Sequence, residues 1–160
     1  MIIGIDPGVN NIGLAVLSDD ASTVLDTQLW SISKPDLKGY DEFVNKLHEF
    51  LYKLKLDFDT AILAIEKPFF TPKTLANNIR TLEVIGLMKY AAYMCVKEEN
   101  LIMIPPTSVK KVMTGKGNAP KELVIQAVNA KYKLEADIAV SHIADAIAIG
   151  YTAYMQRQGA

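Results

Sequence analysis

Residues 2–32 read IIGIDPGVNNIGLAVLSDDASTVLDTQLWSI, and the fold is decided here. Segment 2–6 is apolar and β-branched, as strands prefer, and it ends on the carboxylate of Asp6. Pro7-Gly8-Val9-Asn10-Asn11 is a cluster of turn formers. Segment 12–18 reads as a second strand, Asp19-Asp20 as a short turn, and 22–32 as a third strand of alternating character. Three strands joined by such turns predict an antiparallel meander. Working outward, the spacing of Phe43, Leu47, Phe50, Leu51 and Leu54 predicts a helix over 40–55. The run TAILAIE at 60–66 is continuously apolar, as a strand covered on both faces would be. A long helix is predicted over about 73–97, and a fifth strand over 101–104 ends at Pro105-Pro106. Helices over about 107–113, 119–131 and 140–157 complete the chain. The order β-β-β-α-β-α-β-α, with helices at the end, predicts an α/β fold. Its sheet is mixed and five-stranded, the meander plus parallel strands reached through helical crossovers, with helices on both faces.

The 160 residues suit one domain spanning 1–160, and half of them are hydrophobic, enough for a core. The formal net charge is −1, so the chain lacks the overall basic excess of many nucleic-acid binders. Its distribution says more. Residues 107–121 (TSVKKVMTGKGNAPK) hold Lys110, Lys111, Lys116 and Lys121 and no acid, a local +4 that leaves −5 on the rest. One basic patch on an acidic protein is a way to place a single phosphate-binding surface. The lone cysteine, Cys95, excludes an internal disulfide, and its apolar surroundings predict a buried thiol. The chain opens directly into MIIGID without a charged leader, and no apolar run is long enough to span a bilayer. A cytoplasmic protein without a membrane partner is expected.

Three carboxylates stand out. Asp6 closes the first strand at a Pro-Gly turn, where it either caps the turn or belongs to a site. Glu66 closes the apolar run 60–66; Glu is a poor strand residue, and one there needs a metal or a partner such as Lys67. His142 and Asp145 in SHIADAIAIGYTAY are three apart and share a helix face, while Ile143, Ala146, Ile147 and Gly150 face the sheet. Alone, such a pair is surface decoration as readily as a site. Two strand-end carboxylates and a third on a late helix, without Cys, suit a hard cation such as Mg²⁺ or Mn²⁺. Such a site is suited to phosphodiester hydrolysis with two ions, one activating water and the other stabilising the leaving oxygen.

The motifs GIDPG at 4–8, AIEKPF at 64–69, VKKVMTGKGNAPKELV at 109–124 and HIADAIAI at 142–149 resemble, in order and spacing, those of the RuvC-type Holliday-junction resolvases, a family of the ribonuclease-H-like superfamily. The resemblance covers nearly the whole chain. It implies a ribonuclease-H-like fold and a homodimer that grips a four-way DNA junction and nicks two strands symmetrically with Mg²⁺. The family's catalytic, metal-holding positions map onto Asp6, Glu66, His142 and Asp145. The commonest pattern has Asp where His142 stands. The change removes one negative charge, and neutral imidazole is a poorer Mg²⁺ ligand than carboxylate, so His142 either ligates or orients and deprotonates the attacking water. Asp137 reads instead as the residue at which the last helix begins.

Phe69 falls where the family places an aromatic that wedges or stacks at the junction, while Phe70 is expected in the core. Lys110 and Lys121 match basic positions that touch the DNA backbone near the scissile phosphate, and Lys111 and Lys116 add charge to the same patch. Thr114-Gly115-Lys116-Gly117 lacks the GK[ST] of a nucleotide-binding loop, so no nucleotide cofactor is expected. An actin-like phosphotransferase also begins with Gly-x-Asp-x-Gly, but it needs a second related domain. A non-catalytic branched-DNA-binding module, altered at His142, is the remaining alternative.

The predicted helix 73–97 also bears on the dimer. Leu75, Ile79, Leu82, Gly86, Tyr90 and Tyr93 form one continuous stripe, with Leu87, Ala91 and Met94 alongside. A helix packed only on a sheet needs one stripe. Two stripes point to burial against two partners, or else to one wide internal core.

Overall fold

A computed structural model describes residues 1–8, 11–32, 36–69, 75–134 and 141–159, apart from the side chains of residues 37 and 75–78. The expectations for Phe70 and Asp137, and for the side chain of Leu75, lie outside this description. β1 (Ile2–Pro7), β2 (Ile12–Leu17) and β3 (Val24–Trp30) form the expected meander, each antiparallel to the next. β3 is shorter than its sequence suggests because the preceding turn is held by its own side chains. Asp20 Oδ1 accepts from Ser18 Oγ at 2.6 Å and from the Ser22 N–H at 3.0 Å, which takes Ser22 out of the strand.

β4 (Ile62–Glu66) runs parallel to β1, and β5 (Leu101–Ile104) runs parallel to β4, giving the mixed order β3-β2-β1-β4-β5. Helices cover both faces, as expected. α1 (Leu37–Lys53) and α2 (Leu75–Tyr93) pack on the face carrying Ile3, Ile5, Leu14, Leu63 and Ile65. α3 (Pro106–Thr114), α4 (Lys121–Tyr132) and α5 (Ser141–Gln158) pack on the face carrying Ile2, Ala15, Leu17, Ile62 and Ala64. Among the described residues no helix is long and apolar enough to cross a membrane.

Two expectations about the second helix need correction. α2 stops at Tyr93 rather than at 97, because the N–H groups of Cys95 and Val96 both turn back onto the Ala92 carbonyl, at 2.8 and 3.0 Å. Cys95 is only half-buried there, at the edge of an apolar hollow with Leu51, Tyr52, Phe58 and Met94. The core-facing side of α2 is Val84, Ile85, Met88, Ala91 and Ala92. Among the stripe residues whose side chains are described, only Ala91 is buried. Ile79, Leu82, Tyr90 and Tyr93 all face outward, and a Cβ built on Gly86 meets nothing within 4 Å.

α5 is the element that positions chemistry. It crosses β1 and β2 so closely that a Cβ on Gly4 would lie 2.0 Å from the Ala146 carbonyl oxygen, and one on Gly13 2.0 Å from that of His142. Gly150 provides the matching gap on the helix, under Leu17 and Gly4. Glycine is required at these sheet positions for backbone to approach backbone. With its first turn pressed onto the sheet, α5 carries His142 and Asp145 to the ends of β1 and β4.

Candidate active site

Side chains alternate across a strand, so Asp6 shares a face with Ile2 and Gly4, and Glu66 with Ile62 and Ala64. Both carboxylates therefore project on the side of α5. β1 and β4 pair in register through Ile5 and Ile65, and Asp6 and Glu66 come one step later on these adjacent strands. Parallel neighbours lie about 4.8 Å apart. The same alternation turns Lys67 away from Glu66, and Glu66 makes no ion pair among the described residues. Among the described residues neither simple alternative for these acids is seen, since the Asp6 side chain bonds to His142.

Asp6, Glu66, His142 and Asp145 line one cavity of about 250 Å³, with Lys110 and Lys121 on its wall and Pro106, Val109 and Val124 as apolar lining. Asp6 is 8% exposed. His142 Nδ1 lies 2.6 Å from Asp6 Oδ2. When Asp6 is ionised its carboxylate can only accept, so Nδ1 is then the donor of this bond. Lys121 Nζ lies 2.7 Å from Asp145 Oδ2. Burial raises the Asp6 pKa, against the opposing hydrogen bond from His142. Burial lowers that of Lys121, but the ion pair with Asp145 outweighs it and the net shift is upward. Glu66 is pushed up to about 7, first by burial and then by the charges of Asp6 and Asp145.

These shifts test whether the residues suit a cation. Among the described residues no three His, Cys, Asp or Glu groups converge into a formed metal centre. Instead, Asp6 and Asp145 are each turned to a donor or cationic neighbour. The donor set is nonetheless rich in oxygen, and burial, followed by the charges of Asp6 and Asp145, raises the Glu66 pKa to about 7 against the opposing lysines. A hard divalent cation is the kind of ligand this chemistry takes.

The basic residues divide. Lys110 and Lys121 reach the cavity, whereas Lys111 and Lys116 are exposed on α3 and the loop after it. That loop turns at Gly115, φ 79°, whose N–H closes the helix on the Lys111 carbonyl. Phe69 is 73% exposed, just past the end of β4. Sequence reasoning missed the pairing of Lys121 with Asp145, which no spacing announces, and the part played by Pro106. Pro105-Pro106 at the carboxyl end of a parallel strand was an available signal, since ligands bind at such ends.

A family model described as "Crossover junction endodeoxyribonuclease RuvC" matches residues 2–153. A protein of that description from Rickettsia felis is 29% identical, over 98% of this chain and 99% of its own length. The Thermus thermophilus RuvC structure superposes with a TM-score of 0.79 at 26% identity, covering 99% of this chain and 97% of that one. T. thermophilus RuvC in complex with Holliday junction substrate gives a TM-score of 0.78 at 26% identity, covering 98% and 94%. The fold is thus ribonuclease-H-like.

Proposed function

The chain belongs to the RuvC family of crossover junction endodeoxyribonucleases, and from that premise we propose that it is a metal-dependent, structure-selective endodeoxyribonuclease that binds four-way DNA junctions and, as a homodimer, nicks two strands symmetrically. The observation that carries the proposal is the shared cavity. Three segments remote in sequence bring Asp6, Glu66, His142 and Asp145 to one place, with two lysines on its wall.

Asp6, Glu66 and Asp145, with His142 beside them, would hold Mg²⁺ or Mn²⁺, two ions in the full site. When bound, such ions polarise the phosphate and make water acidic enough to attack. The chain's own groups do the rest. Lys110 and Lys121 offset the charge of the phosphate, Lys121 exchanging Asp145 for it. His142, its Nδ1 held by Asp6, presents Nε2 to take a proton from the attacking water. One P–O bond forms to the water oxygen, one breaks, and a proton goes to the departing deoxyribose oxygen. Lys111 and Lys116 follow the backbone outward, and Phe69 stacks on a base left unpaired at the branch.

The test is nicking of end-labelled four-way, forked and linear DNA with Mg²⁺, Mn²⁺ or EDTA. Junctions should be cut in both metals and not in EDTA. Asp6→Asn, Glu66→Gln and Asp145→Asn should each lose more than about 100-fold in rate, beyond the usual effect of outer-shell partners, while still binding the junction. Full activity in any one variant would remove that residue from the site. Junction binding by the wild type without nicking in either metal would return the non-catalytic alternative.

A further inference from the structure

At the other end of the sheet from the carboxylates lies a hollow of about 550 Å³. β4 and β5 run parallel, so Glu66 stands at a carboxyl end, while this hollow is lined by residues just before the two strands begin. One wall is the last turn of α1 and its exit, with Leu51, Tyr52 and Leu56. The other is Met94 and Cys95, just past α2. Lys55, at φ 48°, turns the chain out of α1. The Lys97 N–H donates to the carbonyl of Phe58 at 3.2 Å and ties the two walls together. Tyr52, Phe58 and Met94 are all exposed, so large apolar groups meet solvent around one concavity. Apolar surface gathered in this way marks a place where something binds.

The charge of the lining narrows the occupant. Lys53 and Lys55 are its charged groups, and no acid lines it among the described residues. Lys53 Nζ lies 3.9 Å from Glu49, a loose pair between exposed side chains, and Lys55 makes no ion pair among the described residues. An ammonium has three donors and no acceptor, so an occupant reaching this rim must bring oxygens, and anionic oxygens bind it best. Just outside the lining stand Glu49, Asp57, Asp59, Glu98 and Glu99, all exposed. A nucleic-acid strand passing the lysines would run on against these acids. A short peptide ends before it meets them, and its side chains can fill the apolar hollow.

We propose that this hollow docks an acidic segment of a partner protein. One or two large apolar side chains of that segment seat between Phe58 and Met94, and its carboxylates face Lys53 and Lys55. The carboxylate cavity opens at the opposite ends of the strands, so one protomer can hold DNA and this partner at the same time.

The experiment uses the full chain and short fluorescein-labelled synthetic peptides. One set carries a single Phe, Trp, Leu or Met among Asp and Glu. A second set has Lys in place of the acids, and a third has Ser in place of the apolar residue. Fluorescence anisotropy should show at least one acidic, apolar-bearing peptide binding about tenfold or more tightly than both its counterparts, as burial of one large apolar side chain would give. Added salt should weaken it. Cys95 is the only cysteine and lines the hollow, so the bound peptide should slow its alkylation by a maleimide. Phe58→Ser, at an exposed residue of neither core cluster, should weaken binding about tenfold, and Lys55→Glu several-fold. Both variants should nick junctions at the wild-type rate. Equal binding of the three sets, no binding by any, or binding that leaves Cys95 as reactive as before would overturn the proposal. So would single-stranded DNA that displaces the peptide and protects Cys95. Protection of Cys95 that grows with protein concentration alone would assign the hollow to a second copy of the chain and overturn it too.

Discussion

Glu66 is the residue whose surroundings most alter its chemistry. Burial, then Asp6 and Asp145, lift its pKa from 4.5 to about 7. A carboxyl raised on folding binds its proton more tightly in the native state. Its stabilising contribution is therefore full below about pH 4.5 and is lost as pH rises through 7. Without divalent cation, thermal melts should show wild type losing stability between pH 5 and pH 7.5, with a flatter profile for Glu66→Gln. At the proposed site Mg²⁺ or Mn²⁺ would compete with that proton and should stabilise wild type more at pH 7.5 than at pH 5. Identical pH profiles for the two proteins would show that Glu66 is not the titrating group. At this scale the sequence was legible wherever a residue broke a local rule. An acid ending a buried strand is conspicuous at Asp6 and Glu66, and strand alternation decides against Lys67 as a partner. The ion pair of Lys121 with Asp145 was illegible, because it joins α4 to α5 across a gap that only packing closes.

Among elements, α5 sets the site by its depth on the sheet. Gly4→Ala drives a methyl into the Ala146 carbonyl, and backbone cannot step aside as a side chain can. Overpacking of this kind costs about 1–3 kcal/mol. The variant should melt lower and also lose nicking, because the shift moves His142 and Asp145 from Asp6. A variant with lowered stability but native rate below its melt would separate the helix from the chemistry. The segment from α3 to the start of α4 makes a different demand, since the role proposed for its lysines is to offset backbone charge. Lys→Ala at 110, 111, 116 or 121 should each flatten log K against log salt by about one unit where the contact is real. Unchanged slopes in all four would place the DNA on another surface. Periodicity located these elements to within a few residues. It could not say which side of α2 faces the sheet, because apolar residues occupy both sides and only the partner decides.

Across the molecule, α2 presents an apolar outer face that nothing among the described residues covers. Ile79 is 54% exposed, Tyr90 66% and Tyr93 62%, beside the open surface at Gly86. Exposed apolar surface of this continuity marks an interaction site, and a two-fold pairing through it would set two active sites against a substrate of matching symmetry. Ile79 is more than half exposed and belongs to neither described core cluster, so Ile79→Asp should keep the fold. It should sediment as a monomer at micromolar concentration and lose paired incision. A wild-type monomer that cuts both strands in one encounter would refute the pairing. The hydrogen bond between His142 and Asp6 joins positions 136 residues apart, and that span has a consequence for biosynthesis. Synthesis proceeds from the N-terminus, and closing so wide a loop costs chain entropy that only the docking of α5 repays. A growing polypeptide thus completes its strands long before it can assemble the proposed cluster, and stays harmless to DNA until its last helix has emerged and settled.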